Sequence, residues 1–186
     1  MNIKSILITF TILLSFASTA NAKETCKSTK YTQVIDTVSF GMTIPQAKKV
    51  LKKKYGSKAT IINPKEGFLI IDFSRPQKNI ERAIYLAQNG KITRQLYRYS
   101  ESFMRKFGGP SQMFVAMVKK LQEKYGQHDD QKMIESEDKA IFFWGNNGGA
   151  TMQVSASSEG VDLRLDCEAL EKEIQENASK SANFGF

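Results

Sequence analysis

Two stretches of the chain repeat one pattern of apolar and polar positions. Ile44, Ala47, Val50, Leu51 and Tyr55 recur at the spacing of a helix with one apolar face. Met113, Phe114, Met117, Val118, Leu121 and Tyr125 do the same 70 residues later. The first helix is predicted to begin at Thr43, because Thr43-Ile44-Pro45-Gln46 has the form of a capping box with proline in the first turn. The second begins near Pro110 or Ser111, and Gly56 and Gly126 are placed to end the two. After each helix the period shortens to two. It predicts strands over 58–63, 68–73, 80–88 and 91–99, then over 131–136, 139–145, 150–158 and 161–167. Asn89-Gly90 is a strong two-residue hairpin signal, and Glu159-Gly160 is expected in the same place in the second copy.

Identities follow the same offset. Lys49, Leu51, Lys54, Tyr55 and Gly56 match Lys119, Leu121, Lys124, Tyr125 and Gly126; Ile71, Phe73 and Gly90 match Ile141, Phe143 and Gly160. Short turns such as residues 63–67 favour antiparallel meanders, since parallel pairing needs long crossovers. The expected fold is α+β: two tandem repeats, each a helix plus a four-stranded antiparallel sheet, with a C-terminal helix. The expected organisation is a signal peptide at 1–22, a first repeat with its N-terminal segment at 23–100, and a linker at 101–109. The second repeat and C-terminal helix follow at 110–178, then a flexible tail at 179–186.

The signal peptide is read from Lys4, an apolar stretch from Ile6 to Ala17, and Ala20-Asn21-Ala22 as an A-x-A cleavage site. That stretch is too short to span a bilayer, which needs about 20 residues, and no later one is longer. The mature protein is expected to be periplasmic or secreted after cleavage near Ala22, with no transmembrane segment. Its two cysteines, Cys26 and Cys167, then meet an oxidising compartment and are expected to pair.

Charge narrows the partners. The sequence has 27 Lys and Arg against 19 Asp and Glu. Export separates a basic protein from nucleic acid, so an acidic protein, anionic lipid head groups or wall polymer are the expected partners. Lys48, Lys49, Lys52 and Lys53 cluster opposite the apolar stripe of the first helix, and no acidic residue lies between Asp36 and Glu66.

A sharper candidate comes from comparing the copies. In the second, Ala156 is expected opposite Leu163, Val154 opposite Leu165 and Met152 opposite Cys167, with polar residues on the other face. Transferring that alternation by 70 residues puts Ile84, Leu86, Tyr97 and Tyr99 in the first core. It leaves Ala83, Tyr85, Ala87, Ile92, Arg94, Leu96 and Arg98 outside. An apolar outer face where the sister copy is polar suggests a cover, either from within the chain or from a protein partner. Tyr85, Ile92, Arg94, Leu96 and Arg98 are the expected partner-binding residues, because aromatic and arginine side chains dominate binding hot spots.

The segment Val38-Ser39-Phe40-Gly41-Met42-Thr43, leading into a helix that ends in Tyr55-Gly56, resembles the Gly-Met-Thr helix start of the small envelope proteins typified by BamE. The tandem helix-plus-sheet arrangement is similar to that of the β-lactamase-inhibitor-protein-like repeats. The resemblance covers about 20 residues and implies a non-catalytic binding module of the bacterial envelope. In the second copy Gly108-Gly109-Pro110-Ser111 stands in place of the motif, and the lipidation signal of the BamE-like proteins has no counterpart here.

Catalytic chemistry is poorly supplied. His128 is the only histidine, so a transition-metal site lacks ligands, and no cofactor is expected. Serine hydrolase, zinc protease and phosphate-loop signatures are absent; Gly145-Asn146-Asn147-Gly148-Gly149 lacks the lysine that a phosphate loop needs. The expected role is a protein-binding module, such as an inhibitor or immunity-type protein. The alternatives are an envelope hydrolase acting on wall polymers through carboxylates distant in sequence, or an anionic-lipid-binding envelope protein.

Overall fold

A computed structural model describes Cys26 and residues 38–135, 138–145 and 149–183. The expected signal peptide lies outside the described residues. Helix α1 spans Ile44–Tyr55 and runs through a short 3-10 turn, Gly56–Lys58, into strand β1, Ala59–Ile62. Then come β2, Phe68–Gln77; β3, Ile80–Gln88; and β4, Lys91–Tyr99. The segment between the copies contains a short helix, α2, at Glu101–Arg105. Helix α3, Pro110–Tyr125, leads to β5, Asp130–Ile134; β6, Lys139–Trp144; β7, Ala150–Ser157; and β8, Gly160–Cys167. Helix α4 covers Glu168–Asn183, so residues 179–183, expected in a loose tail, are helical. Among the described residues no helix is long and apolar enough to cross a membrane.

Local chemistry sets the helix ends. The Thr43 side chain accepts from Gln46 N–H while the Gln46 side chain accepts from Thr43 N–H, which completes the capping box. At the other ends Gly56 and Gly126 take positive φ and return their N–H groups to the Lys52 and Gln122 carbonyls. The buried face of α1 is Ile44, Ala47, Leu51 and Tyr55; that of α3 is Met113, Phe114, Val118 and Tyr125. Burying each large apolar side chain stabilises the fold by roughly 1.5–3 kcal/mol.

The strands correct the expected architecture. They do not form two four-stranded sheets but one eight-stranded antiparallel sheet, ordered β1-β2-β3-β4-β8-β7-β6-β5. The last strand of each copy pairs with the other along a seam: Arg94 faces Asp166, Leu96 faces Arg164 and Arg98 faces Asp162. A four-stranded meander alone would leave this long inner strand unpaired, and pairing the two strands satisfies both rows of backbone groups. One continuous row crosses the sheet through Ile61, Ile71, Ala83, Tyr97, Leu163, Val154 and Phe142. This is the core face. Tyr55 of α1 meets Phe73 there with ring centroids 4.9 Å apart, and Phe114 of α3 meets Phe142 at 5.4 Å. Helices α1 and α3 therefore cover the same side. Leu170 and Ile174 of α4 join the same core, as does Cys26, whose Cα lies 6.0 Å from that of Cys167 at disulfide distance.

The expected face assignment fails on a one-residue difference. The first hairpin turns at Asn89-Gly90, between Gln88 and Lys91, but the second turns at Ser158-Glu159, between Ser157 and Gly160. The offset at the turn is thus 69 residues, not 70. A slip of one residue exchanges the faces of a strand, so β3 points Ala83 and Tyr85 inward and Ile84 and Leu86 outward. In the second hairpin the partners are Ala156 and Val161, Val154 and Leu163, and Met152 and Leu165. That register is two residues from the expected one, which leaves its core face unchanged.

Candidate functional site

The site is built on the sheet face opposite α1 and α3. Four strands contribute three side chains each, held in register by the ladder. Phe68, Ile70 and Asp72 of β2 stand beside Leu86, Ile84 and Arg82 of β3. These continue into Arg94, Leu96 and Arg98 of β4, then into Asp166, Arg164 and Asp162 of β8. Phe68, Ile70, Ile84, Leu86 and Leu96 are partly exposed and adjoin one another as an apolar cluster. The charged residues surround it on two sides.

Those charges are paired. Arg82 binds Asp72 within β2 and β3, and Arg94 Nε lies 2.6 Å from Asp166 Oδ1 across the seam. Arg98 makes two parallel bonds to Asp162, at 3.0 and 3.1 Å. Arg164 Nε is 2.7 Å from Asp166 Oδ2, and Glu171 of α4 approaches Arg94 at 3.5 Å. Four arginines meet four carboxylates, so the charges of this site balance. The hydrogen bond to Asp162 holds the proton of Arg98 more tightly than usual, and that to Asp72 does the same for Arg82. On the core side, where it stacks on Phe103, burial pushes the Tyr99 hydroxyl up to about 12.

Of the residues expected to bind a partner, Arg94, Leu96 and Arg98 are on this face. Tyr85 and Ile92 are not: both are 0 % exposed and belong to the core. Tyr85 is turned inward by the one-residue hairpin offset. Ile92 is turned inward by a bulge in β4, where Leu86 faces Arg94 but Ala87 faces Ile92 and leaves Thr93 as the extra residue. Tyr97 is in the core, as expected. The residues missed are Phe68, Ile70, Ile84 and Leu86. The signal was the placement of Arg82, Arg94 and Arg98: charges that must face solvent or one another fix the parity of β3 and β4.

The basic face of α1 is as exposed as its pattern implies: Lys49, Lys52 and Lys53 are exposed and Lys48 is half-buried. His128 packs against aromatic rings. Its ring meets Phe142 at 4.5 Å between centroids, and its Nδ1 lies 2.9 Å from Gln122 Nε2. Among the described residues, no three His, Cys, Asp or Glu side chains are grouped as metal ligands.

Two clefts occupy corresponding places in the copies, each between a helix N-terminus and the sheet. One, of about 630 Å³, is lined by Thr43, Pro45, Asn63 and Glu66; the other, of about 460 Å³, by Pro110, Phe114, Met133 and Asp138. Each offers a single carboxylate, short of the pair that glycoside hydrolysis uses. A third cleft, of about 310 Å³, lies on the open sheet face and is lined by two carboxylates, Glu159 and Asp162, beside Arg98 and Lys139. No protein-family model, no curated protein and no solved structure matches this chain.

Proposed function

We propose that this protein is an exported binding module, of the inhibitor or immunity type, that occupies a protein partner through the open face of its sheet. The observation that carries the reading is the apolar cluster of Phe68, Ile70, Ile84, Leu86 and Leu96, bordered by arginine–carboxylate pairs. An apolar centre with a polar rim is the anatomy of a protein interface. Ordered ion pairs along the rim also reduce the entropy lost on binding, since their side chains are already held. The BamE-like helix start at Gly41-Met42-Thr43 is in keeping with an envelope role, and the signal-like N-terminus with a periplasmic or secreted location.

The test is affinity capture from an envelope extract with the oxidised chain beginning at Lys23, beside Leu86→Asp/Leu96→Asp. The expected result is a partner held by the parent and lost by the variant, with both proteins giving the same circular dichroism. A partner held equally by both would remove this face from consideration. Fractionation of cells carrying the full-length chain tests export, with recovery in the cytoplasm counting against it.

A further inference from the structure

Helices α1 and α3 hold nearly all of the chain's excess charge. Together α1 and α3 carry eight lysines and one glutamate, a net +7, while the whole sequence is +8. The C-terminal ends of two helix dipoles offset this by only about half a charge each. On the open sheet face the arginines are neutralised by carboxylates. The helix lysines are not: none of Lys48, Lys49, Lys52, Lys53, Lys119 and Lys120 makes an ion pair among the described residues.

The fold does not demand this charge. At the positions of α3 that correspond to Lys52 and Lys53 stand Gln122 and Glu123, in a helix with the same glycine end. The residue type is also informative, because neither helix contains arginine. Lysine is a hydrated point charge suited to diffuse contact, whereas arginine suits bidentate recognition of one group. Apart from Pro45 and Gln46, the exposed residues of α1 are all lysines, so it lacks the aromatic, aliphatic or arginine anchor of a protein hot spot. Lys49, Lys52 and Lys53 spread over about 100° of the helix circumference within one turn. Such a patch is as wide as it is long, which fits a charged surface better than a single linear polymer.

We propose that α1 docks by its lysines on the surface of an anionic lipid bilayer, without insertion, and that Lys119 and Lys120 of α3 provide a secondary contact. The helices overlie different parts of the sheet, α1 on the outer strands β1 and β2 and α3 on β7 and β8 beyond the seam. Four strand spacings, about 19 Å, separate them. That exceeds two screening lengths of roughly 8 Å at physiological salt, so a small anion does not engage both.

The experiment is flotation of the protein with phosphatidylcholine vesicles, with and without phosphatidylglycerol, at low and high salt. Binding is expected only with phosphatidylglycerol and is weakened by salt. Each lysine near an anionic leaflet strengthens binding roughly fivefold, so Lys49→Gln/Lys52→Gln/Lys53→Gln is expected to weaken it on the order of 100-fold. Lys119→Gln/Lys120→Gln should have a smaller effect, and Leu86→Asp/Leu96→Asp none. Equal binding to neutral vesicles, undiminished binding by the triple variant, or binding to soluble polyphosphate but not to anionic vesicles would each overturn the proposal. Circular dichroism establishes that the variants are folded. Capture of a protein partner on the sheet face is unaffected by the lysine substitutions, so the two readings fail separately.

Discussion

Arg94 of the first copy and Asp166 of the second are joined Nε to Oδ1 at 2.6 Å across the seam that makes the two sheets one. Arg98 and Asp162 repeat the contact four residues along β4. Each pair is partly exposed, so its expected coupling is about 0.5–1.5 kcal/mol. Arg94→Asp is expected to cost more than removal of the charge by Arg94→Ala, because it opposes two carboxylates. Combining it with Asp166→Arg should recover much of the loss, as measured by a double-mutant cycle in urea.

The inward direction of Tyr85 separates stability from binding. Tyr85→Ala is expected to cost about 3–5 kcal/mol, because the ring is fully buried and packs edge-on to Tyr97 at 6.3 Å. Leu96→Ala, on the open face, should cost about 1 kcal/mol or less. Denaturant unfolding of the two variants checks the assignment, and similar losses would contradict it.

Tyr99 makes stability depend on pH at the alkaline end. Its hydroxyl, held at about 12 by burial, binds a proton more tightly folded than unfolded, where its ordinary value is 10.0. The contribution is therefore fully present below pH 10 and is lost as the pH rises through 12, a change of at most about 2–3 kcal/mol. Across that window the unfolding free energy of the parent should fall more steeply with pH than that of Tyr99→Phe, and equal slopes would show that this side chain is not the cause.

Cys26 and Cys167 are separated by 141 residues and both are buried. Closing so long a loop stabilises the native state by up to about 5 kcal/mol in the chain-entropy account. Cys26→Ser/Cys167→Ser is expected to unfold at lower urea concentration than the oxidised parent. Reductant should lower the parent toward the same midpoint, and a parent insensitive to reductant would show that the bond is not formed.

Local signals in the sequence were legible and non-local ones were not. The Thr43 capping box, the glycine helix ends and the Asn89-Gly90 turn each depend on a few neighbouring residues, and each is where its pattern placed it. The β4–β8 seam joins residues such as Arg94 and Asp166, 72 apart, and no local rule announces which strands of two meanders will meet. The face of β3 was misread for a subtler reason. Its two sides, Ala83-Tyr85-Ala87 and Ile84-Leu86, are both apolar, so alternation alone does not choose between them. The choice then depended on an offset that the second turn breaks by one residue, and on a bulge that carries Ile92 to the core.

The seam also governs what the chain refuses to pair with. Counted in rungs from the two turns, Arg94 corresponds to Asp162 and Arg98 to Asp166, so the antiparallel pairing has the form of a twofold contact between like units. Yet the units are opposite in sign. If β4 met another β4 in this register, Arg94 would oppose Arg98 twice; if β8 met β8, Asp162 would oppose Asp166 twice. Each half thus repels a copy of itself and accepts its sister, and tethering them in one chain supplies that sister at high local concentration. A chain whose two halves share one order of elements has an inherent hazard of exchanging halves between molecules, and here the charges that close the sheet also discourage the like-with-like form of that exchange.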